Sequence, residues 1–152
     1  MIEWYNFKNF IVTNKNNFAY SAAKAITQFV GISYNPLFIY GSAGVGKTHL
    51  LYSIMNEIIK KDKNKNALYV DISTVKNVKD LNIKDLDVLL IDNFELLNGN
   101  YEIQKELVEK FKQLLPYNKQ IVLSSKESIN KLSILYDLKV QIEKGLYAEI
   151  EQ

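Results

Sequence analysis

An eight-residue loop in the first third of the chain carries the clearest chemical pattern. Residues 41–48 read GSAGVGKT and fit the spacing G-x-x-x-x-G-K-[ST]. The fixed positions of this pattern are occupied by Gly41, Gly46, Lys47 and Thr48. An apolar run precedes the loop and an amphipathic segment follows it, which is the context that this pattern requires. The alternative, a chance glycine turn before a helix, would need both flanks to match by accident.

The residue types in this loop suit the binding of a nucleoside polyphosphate. Glycines let the backbone curl so that successive N–H groups point at phosphate oxygens. The backbone groups expected to do so belong to Gly41, Gly44, Val45, Gly46, Lys47, Thr48 and His49. The side chain of Lys47 is expected to reach the β- and γ-phosphates, while the Thr48 hydroxyl binds Mg²⁺. The positive end of the helix that begins near Lys47 adds to the attraction for phosphate.

An acid at the end of a later apolar run completes the predicted site. In DVLLIDNFELL, residues 87–97, four apolar residues lead to Asp92. A carboxylate at the end of a neighbouring strand can hold Mg²⁺ beside the phosphates. The alternative is an ordinary turn aspartate. The next residue is Asn93, which can orient a water molecule but cannot accept its proton at neutral pH. The candidate catalytic residues are therefore Lys47 of the loop, Asp92 and Asn93.

Three further groups have two interpretations each. Ser125 ends the strand-like run LSS and can either face the γ-phosphate or cap the following helix. His49, the only histidine, has a packing or helix-end role as the alternative to a role at the nucleotide. A cluster of lysines can contact phosphate backbones or form a solvated helix end, and it comprises Lys60, Lys61, Lys63 and Lys65.

Composition excludes several classes of function. The 152 residues suffice for one domain with a substantial core, and they contain no cysteine. The net charge of +2 is too small to indicate nucleic-acid binding through a general positive field. We see neither a signal peptide nor an apolar stretch of membrane-spanning length, which favours the cytoplasm. All 19 basic residues are lysines, so the chain cannot supply an arginine finger.

The elements that must position these residues alternate along the chain. Apolar runs of strand length occupy 35–41, 67–72, 87–92, 120–125 and 146–151. Helical spacing covers 16–30, 47–61, 101–115 and 127–143, with Pro116 ending the third segment. The intervening residues 73–86 allow one helical turn. Continuous apolar strands that alternate with helices predict an α/β fold, in which helices cover both faces of a parallel sheet.

Five segments, taken together and in order, resemble the AAA+ core of the bacterial replication initiator DnaA family. They are NFIVTNKNNFAYSAAKAI, YNPLFIYGSAGVGKTHLL, DVLLIDNFELL, KQIVLSS and GLYAEI. The stretch IDNFELLNGN is also similar to Hda, a DnaA-related regulator in which an asparagine follows the first acid. The resemblance implies a three-layer P-loop fold of the AAA+/ASCE type, with a five-stranded parallel sheet in the order 5-1-4-3-2. It also implies ATP or ADP as ligand, with Val12 and Asn17 near the adenine.

Departures from the family pattern affect the predicted activity. Only residues 73–86 separate two strands where the initiator carries a helical insertion that contacts single-stranded DNA. Gln141 stands at the arginine-finger position, and Lys126 stands where the family usually has an acid after the serine pair. The match ends at Gln152, where the family continues into a helical lid, so we expect residues 1–152 to form one domain without a lid.

Three hypotheses follow. The first is a DnaA/Hda-like regulator of replication initiation that binds ATP or ADP with Mg²⁺, hydrolyses it slowly or not at all, and meets another AAA+ protein such as DnaA. The second is an active ATPase of the DnaC-like helicase-loader type. The third is an interaction module whose pocket stays empty. Direct DNA binding ranks low and would be weak.

Overall fold

The computed structural model describes residues 4–152, in which five strands alternate with α-helices, except that only the short 3-10 turn Val78–Asp80 lies between the second and third strands. The strands are β1 (Leu37–Tyr40), β2 (Ala67–Asp71), β3 (Val88–Asp92), β4 (Gln120–Ser125) and β5 (Leu146–Glu149). The helices are α1 (Asn17–Gln28), α2 (Lys47–Lys61), α3 (Tyr101–Lys112) and α4 (Tyr136–Glu143). The predicted alternation of strands and helices is therefore confirmed.

The strands form one parallel sheet in the order β2-β3-β4-β1-β5. This is the predicted order 5-1-4-3-2 read from the other edge, so that expectation is confirmed. In the register of the sheet, Asp71 pairs with Asp92, and Tyr40 pairs with Ser125. Because all strands run in the same direction, their carboxyl ends share one edge, where polar side chains from several strands meet.

Two apolar layers cover the sheet, as the alternation of side chains along β3 illustrates. Val88 and Leu90 pack on the side of α1 and α2, whereas Leu89 and Ile91 pack on the side of α3 and α4. All five residues of β3 are buried, which explains why this strand reads as a continuous apolar run. The result is a helix–sheet–helix sandwich with the predicted three layers.

Helix α2 has the bounds that the sequence predicted. Its buried apolar residues Leu50, Leu51, Ile54 and Ile58 recur at helical spacing and face the sheet. The helix begins at Lys47, directly after Gly46, so its first turn lies at the carboxyl edge of the sheet. Lys60 and Lys61 lie in its last turn, where positive side chains offset the negative end of the helix.

The segment before α1 packs over the start of α2. Phe7 and Phe10 are buried in the α1 and α2 layer, and the ring of Phe10 lies 5.2 Å from that of His49. Further out, the ring of Trp4 lies 5.7 Å from His49 and 5.5 Å from Tyr5. These aromatic contacts join the N-terminal segment to the first turn of α2.

Two helical predictions were too long. The segment 127–143 is helical only in α4, after a short 3-10 turn at Ile129–Lys131 and irregular residues up to Leu135. Helix α3 ends at Lys112, and Pro116 lies inside the 3-10 turn Leu115–Tyr117 rather than at the helix end. Within residues 4–152, none of the helices has both the length and the apolar character needed to cross a membrane.

Candidate functional site

The loop between β1 and α2 has the backbone conformation that its glycines permit. Gly44 and Gly46 have φ angles of +81° and +107°, which side chains other than glycine rarely adopt. A Cβ atom at Gly46 would lie 2.9 Å from Cε1 of Phe10, so the N-terminal segment leaves no room for a side chain there. Gly46 is therefore needed both for its backbone angle and for the close approach of Phe10.

The side chain of Lys47 lies against the backbone of the loop. Its Nζ donates to the carbonyl oxygens of Gly41 at 2.5 Å and Ser42 at 2.8 Å. Burial lowers the pKa of Lys47, the nearby carboxylates of Glu95 and Asp92 act to raise it, and Lys126 acts to lower it further. The ammonium group thus lies within the loop and near both acids.

Asp92 receives hydrogen bonds on both carboxylate oxygens. Its Oδ2 accepts from the Thr48 hydroxyl at 2.7 Å and from the Tyr69 hydroxyl at 2.5 Å. Its Oδ1 accepts from the Ser124 hydroxyl and from the backbone N–H of Asn93, the latter at 3.1 Å. The structure therefore brings Thr48 and Asp92 together, as the predicted cation site requires. The sequence reasoning missed Tyr69 and Ser124, which lie on the same face of the sheet as Asp92.

Asn93 follows β3 in a left-handed conformation, with φ of 62°. Its side-chain Nδ2 donates to Asp71 Oδ1 at 2.8 Å, so the amide is turned toward the end of the neighbouring strand β2. Partial burial acts to raise the pKa of Asp71, but hydrogen bonds from Asn93 and from the hydroxyl and backbone N–H of Ser73 lower it overall. The Asn93 amide is therefore held by a charged carboxylate.

The other predicted residues near the loop differ in where their side chains lie. His49 lies on the first turn of α2, and its Nε2 is 2.9 Å from the Asn6 carbonyl oxygen, within the aromatic cluster described above. Val45 packs partly buried against the α1 and α2 layer. Ser125 is buried, and its hydroxyl donates to the Glu127 carbonyl oxygen at 2.7 Å, so it participates in the turn after β4.

The residues predicted near adenine lie on the segment that precedes α1. Val12 is 46% exposed and follows Ile11, which is 81% exposed. Asn17 is exposed at the first residue of α1, whereas its neighbour Asn16 is buried. Asn16 accepts from the Thr13 N–H at 2.8 Å and donates to the Ile11 carbonyl oxygen at 3.0 Å. Asn16, which the sequence reasoning did not select, therefore holds this segment in place.

A cleft of about 580 Å³ opens at the carboxyl edge of the sheet beside these groups. Its lining comprises Tyr5, Ala43, Gly44, Gly46, Lys47, Thr48, His49, Ser73, Asn93, Glu95, Leu96 and Lys126. The volume is within the usual range of small-molecule sites. Glu95 is a further acid close to Asp92 in the sequence. It lies in this cleft, and its carboxylate accepts from the Lys126 backbone N–H at 2.9 Å.

Gln141, which the sequence resemblance predicts at the arginine-finger position, is buried and does not line the cleft. It is 9% exposed, and its Nε2 donates to the Val108 carbonyl oxygen of α3 at 3.1 Å. Its Oε1 is buried and has no hydrogen-bond partner. This position therefore serves the packing of α4 on α3.

The fold and the site together define a P-loop domain of the AAA+ class. The evidence is a five-stranded parallel sheet with β1 between β4 and β5, a glycine loop that joins β1 to the first turn of α2, and an acid at the end of β3 that contacts Thr48. A family model described as the bacterial DnaA ATPase domain matches residues 1–149. The chain belongs to this family.

Solved structures of DnaA have the same fold. Domain III of the replication initiation protein DnaA from Thermotoga maritima matches with a TM-score of 0.88 and 34% identity, over 97% of this chain and 67% of that one. AMPPCP-bound DnaA from Aquifex aeolicus matches with a TM-score of 0.82 and 33% identity, over 97% of this chain and 50% of that one. DnaA bound to AMPPCP and single-stranded DNA matches with a TM-score of 0.86 and 34% identity, over 98% of this chain and 50% of that one. The chain spans about half the length of the two nucleotide-bound proteins.

Proposed function

We propose that this chain binds ATP or ADP with Mg²⁺ at the loop 41–48 and acts as a DnaA-like module in bacterial replication initiation. The observation that carries the proposal is the 2.7 Å contact of Asp92 with the Thr48 hydroxyl, which lines the cleft at the carboxyl edge of the sheet together with Lys47. A hydroxyl, a carboxylate and an ammonium group in this arrangement suit a cation-bound polyphosphate. The two relatives solved with AMPPCP support the same ligand class.

The residues present fit a hydrated Mg²⁺ that is shared with phosphate. Mg²⁺ prefers a few protein oxygens together with substrate phosphates and waters over a site made entirely of protein groups. Within residues 4–152, no three histidine, aspartate or glutamate side chains come together as a metal site. Thr48 and Asp92 therefore would hold the ion only together with phosphate oxygens, and the ion would supply charge neutralisation there.

Nucleotide binding requires Lys47 to change partners. Its Nζ now donates to the carbonyl oxygens of Gly41 and Ser42. An ammonium group has three donors and bonds more strongly to charged oxygens than to neutral carbonyls. We therefore expect Lys47 to exchange at least one carbonyl for a β- or γ-phosphate oxygen when nucleotide enters the cleft.

Adenine would bind against the segment that precedes α1. Ile11 and Val12 of this segment are 81% and 46% exposed, and Phe18 in the first turn of α1 is 56% exposed. Apolar and aromatic side chains are the usual contacts of a planar ligand in such a site. Val12 and Asn17 would contact the adenine, and Asn16 would hold the segment in place through its bonds to Thr13 and Ile11.

Hydrolysis by the isolated chain is expected to be slow. Asn93 replaces the second acid, and its amide already donates to Asp71. The chain has no arginine, and the finger position is taken by Gln141, which is buried against α3. An arginine finger contributes about 10³ to 10⁵ in rate. Another AAA+ protein, DnaA among them, can supply that group from outside, which is the partner class that we propose.

Calorimetry and thermal unfolding test the binding site. ATP or ADP at about 100 times its Kd is expected to raise the Tm of the chain by roughly 5–10 °C in the presence of Mg²⁺. Lys47→Ala should abolish this rise. Lys60→Ala, an exposed lysine at the other end of the same helix, should leave it unchanged. An unchanged Tm for the unsubstituted chain at millimolar nucleotide would show that the pocket is not a nucleotide site.

Turnover distinguishes a regulatory module from a loader-type ATPase. We expect phosphate release close to the rate without protein for the isolated chain, and a rise of at least about 10³-fold when an arginine-bearing AAA+ partner completes the site. A kcat of about 1 s⁻¹ without any partner would instead favour the helicase-loader type.

A further inference from the structure

The four hydrogen bonds to Asp92 use the whole capacity of its carboxylate. A carboxylate offers about four acceptor positions, two on each oxygen. Oδ2 accepts from Thr48 and Tyr69, and Oδ1 accepts from Ser124 and the Asn93 N–H. Asp92 is 1% exposed, so solvent does not replace any of these donors. The direction of the carboxylate is therefore set by its protein neighbours.

These donors lie on different sides of Asp92. Thr48 and Asn93 line the cleft, whereas Tyr69 and Ser124 do not. Tyr69 belongs to β2, and Ser124 is a fully buried residue of β4, so the neighbouring strands hold Asp92 from both sides. A ligand in the cleft meets Thr48 and Asn93 first. Tyr69 and Ser124 can keep their bonds to Asp92 while the groups on the cleft side rearrange.

Stacking of the Tyr69 ring on Tyr52 holds the Tyr69 hydroxyl in place. The rings of Tyr69 and Tyr52 are stacked, with centroids 4.3 Å apart and planes inclined by 22°. Tyr52 lies four residues after Thr48 on α2, so the two side chains project from the same face of that helix. Helix α2 thus contacts Asp92 through Thr48 and packs against Tyr69 through Tyr52.

We propose that Tyr69 is a positioning residue for the divalent-cation site, because its hydroxyl fixes Oδ2 of Asp92 in the direction that a cation bound at Thr48 requires. This inference rests on the proposed function. Nothing in the loop motif or in the acid at position 92 identifies Tyr69, which lies in another strand. Groups that orient a metal ligand without touching the metal commonly change metal affinity by 10- to 100-fold.

The test is the effect of Mg²⁺ on ADP affinity, measured by calorimetry in excess Mg²⁺ and in EDTA. Tyr69→Phe keeps the ring and its stacking on Tyr52 but removes the hydroxyl. We expect its Kd for ADP to rise by about tenfold in Mg²⁺ and by less than twofold in EDTA. Tyr147→Phe is the matched control. It removes a buried hydroxyl that has no hydrogen-bond partner, on the opposite face of the sheet, and it should leave both Kd values unchanged.

Two results would overturn the inference. In the first, Tyr69→Phe retains the full effect of Mg²⁺ on ADP affinity. In the second, Tyr69→Phe weakens ADP binding equally in Mg²⁺ and in EDTA, as a purely structural role would. If the unsubstituted chain binds no ADP in Mg²⁺ or in EDTA, the proposed function itself fails. If the unsubstituted chain and Tyr69→Phe bind ADP equally well, only the role of Tyr69 fails.

Discussion

The side-chain amide of Asn93 donates to Asp71 Oδ1 at 2.8 Å and joins the ends of two neighbouring strands at the edge of the cleft. From this contact we expect that an acid at position 93 alone would not be sufficient for rapid hydrolysis. A carboxylate at position 93 would meet that of Asp71, and two like charges at this distance cannot both ionise freely.

The first prediction concerns this pair. Asn93→Asp alone should raise ATP turnover only slightly, because the new acid shares a proton with Asp71. Combining it with Asp71→Asn replaces the repulsion by a hydrogen bond and should raise turnover by roughly 10²-fold, the lower end for a general base. Phosphate release measures the effect, and Asp71→Asn alone is the control. Equal rates for Asn93→Asp and the double variant would contradict the role assigned to Asp71.

A second prediction compares two glycines of the same loop. Gly44→Ala and Gly46→Ala both place a side chain at positive φ, which costs about 1–2 kcal/mol. The new methyl group at position 44 meets open space, whereas that at position 46 meets the ring of Phe10. Gly46→Ala should therefore cost a further 1–3 kcal/mol or so in the free energy of unfolding. Chemical denaturation without nucleotide measures both, and equal losses would show that Phe10 does not press on the loop.

A third prediction concerns Asp87 and pH. Partial burial acts to raise the pKa of Asp87, but the Asn66 backbone N–H and the hydrogen bond and charge of Lys119 lower it below its ordinary value of 3.8. A folded-state pKa below the unfolded one contributes stability above about pH 4, and this contribution is lost as the pH falls through the folded value. Asp87→Asn should therefore cost about 1 kcal/mol at pH 7.

The pH dependence distinguishes charge from packing at this site. The difference in unfolding free energy between Asp87→Asn and the unsubstituted chain should shrink in denaturation series taken downward from pH 7, most steeply below about pH 4. A difference that stays constant over the whole range would assign the loss to packing or to the backbone of the turn. Lys119→Met, which removes only the positive partner, should reproduce part of the loss at neutral pH.

A fourth prediction concerns the finger position. Gln141→Leu should change the free energy of unfolding by less than about 1 kcal/mol, because the lost bond to the Val108 carbonyl is offset by removal of a buried oxygen without a partner. Gln141→Arg should destabilise by roughly 3 kcal/mol or more, since it places a charge between α3 and α4. Thermal unfolding measures both. An arginine tolerated at this position would show that α4 can turn this side chain outward.

The sequence predicted the site most accurately where its own pattern specified the local backbone. The bounds of α2 and the end of β3 at Asp92 follow from helical spacing and a continuous apolar run, and the structure has both. Two partners of Asp92, Tyr69 and Ser124, were not predictable in this way. Tyr69 meets it only because β2 pairs with β3 in a register that no local pattern specifies.

The irregular segment before α4 illustrates the same limit. Its residues have helical spacing, yet they are bound in an extended form by groups distant in sequence. The Ser133 carbonyl oxygen accepts from Gly99 N–H at 3.0 Å and from Gln104 Nε2 at 2.9 Å, and the Leu135 N–H donates to Gln104 Oε1 at 2.7 Å. These bonds from α3 and the turn before it satisfy the backbone without a helix, and intrinsic helix propensity is too weak to compete with them.

The aromatic contacts of the N-terminal segment have a practical consequence. Trp4 is the only tryptophan, and its ring lies 5.7 Å from that of His49, the residue next to Thr48. The indole is 61% exposed, so its fluorescence depends on both the solvent and the imidazole. We therefore expect nucleotide binding at the loop to change the emission of Trp4, so that ligand titrations can be followed without attaching a dye.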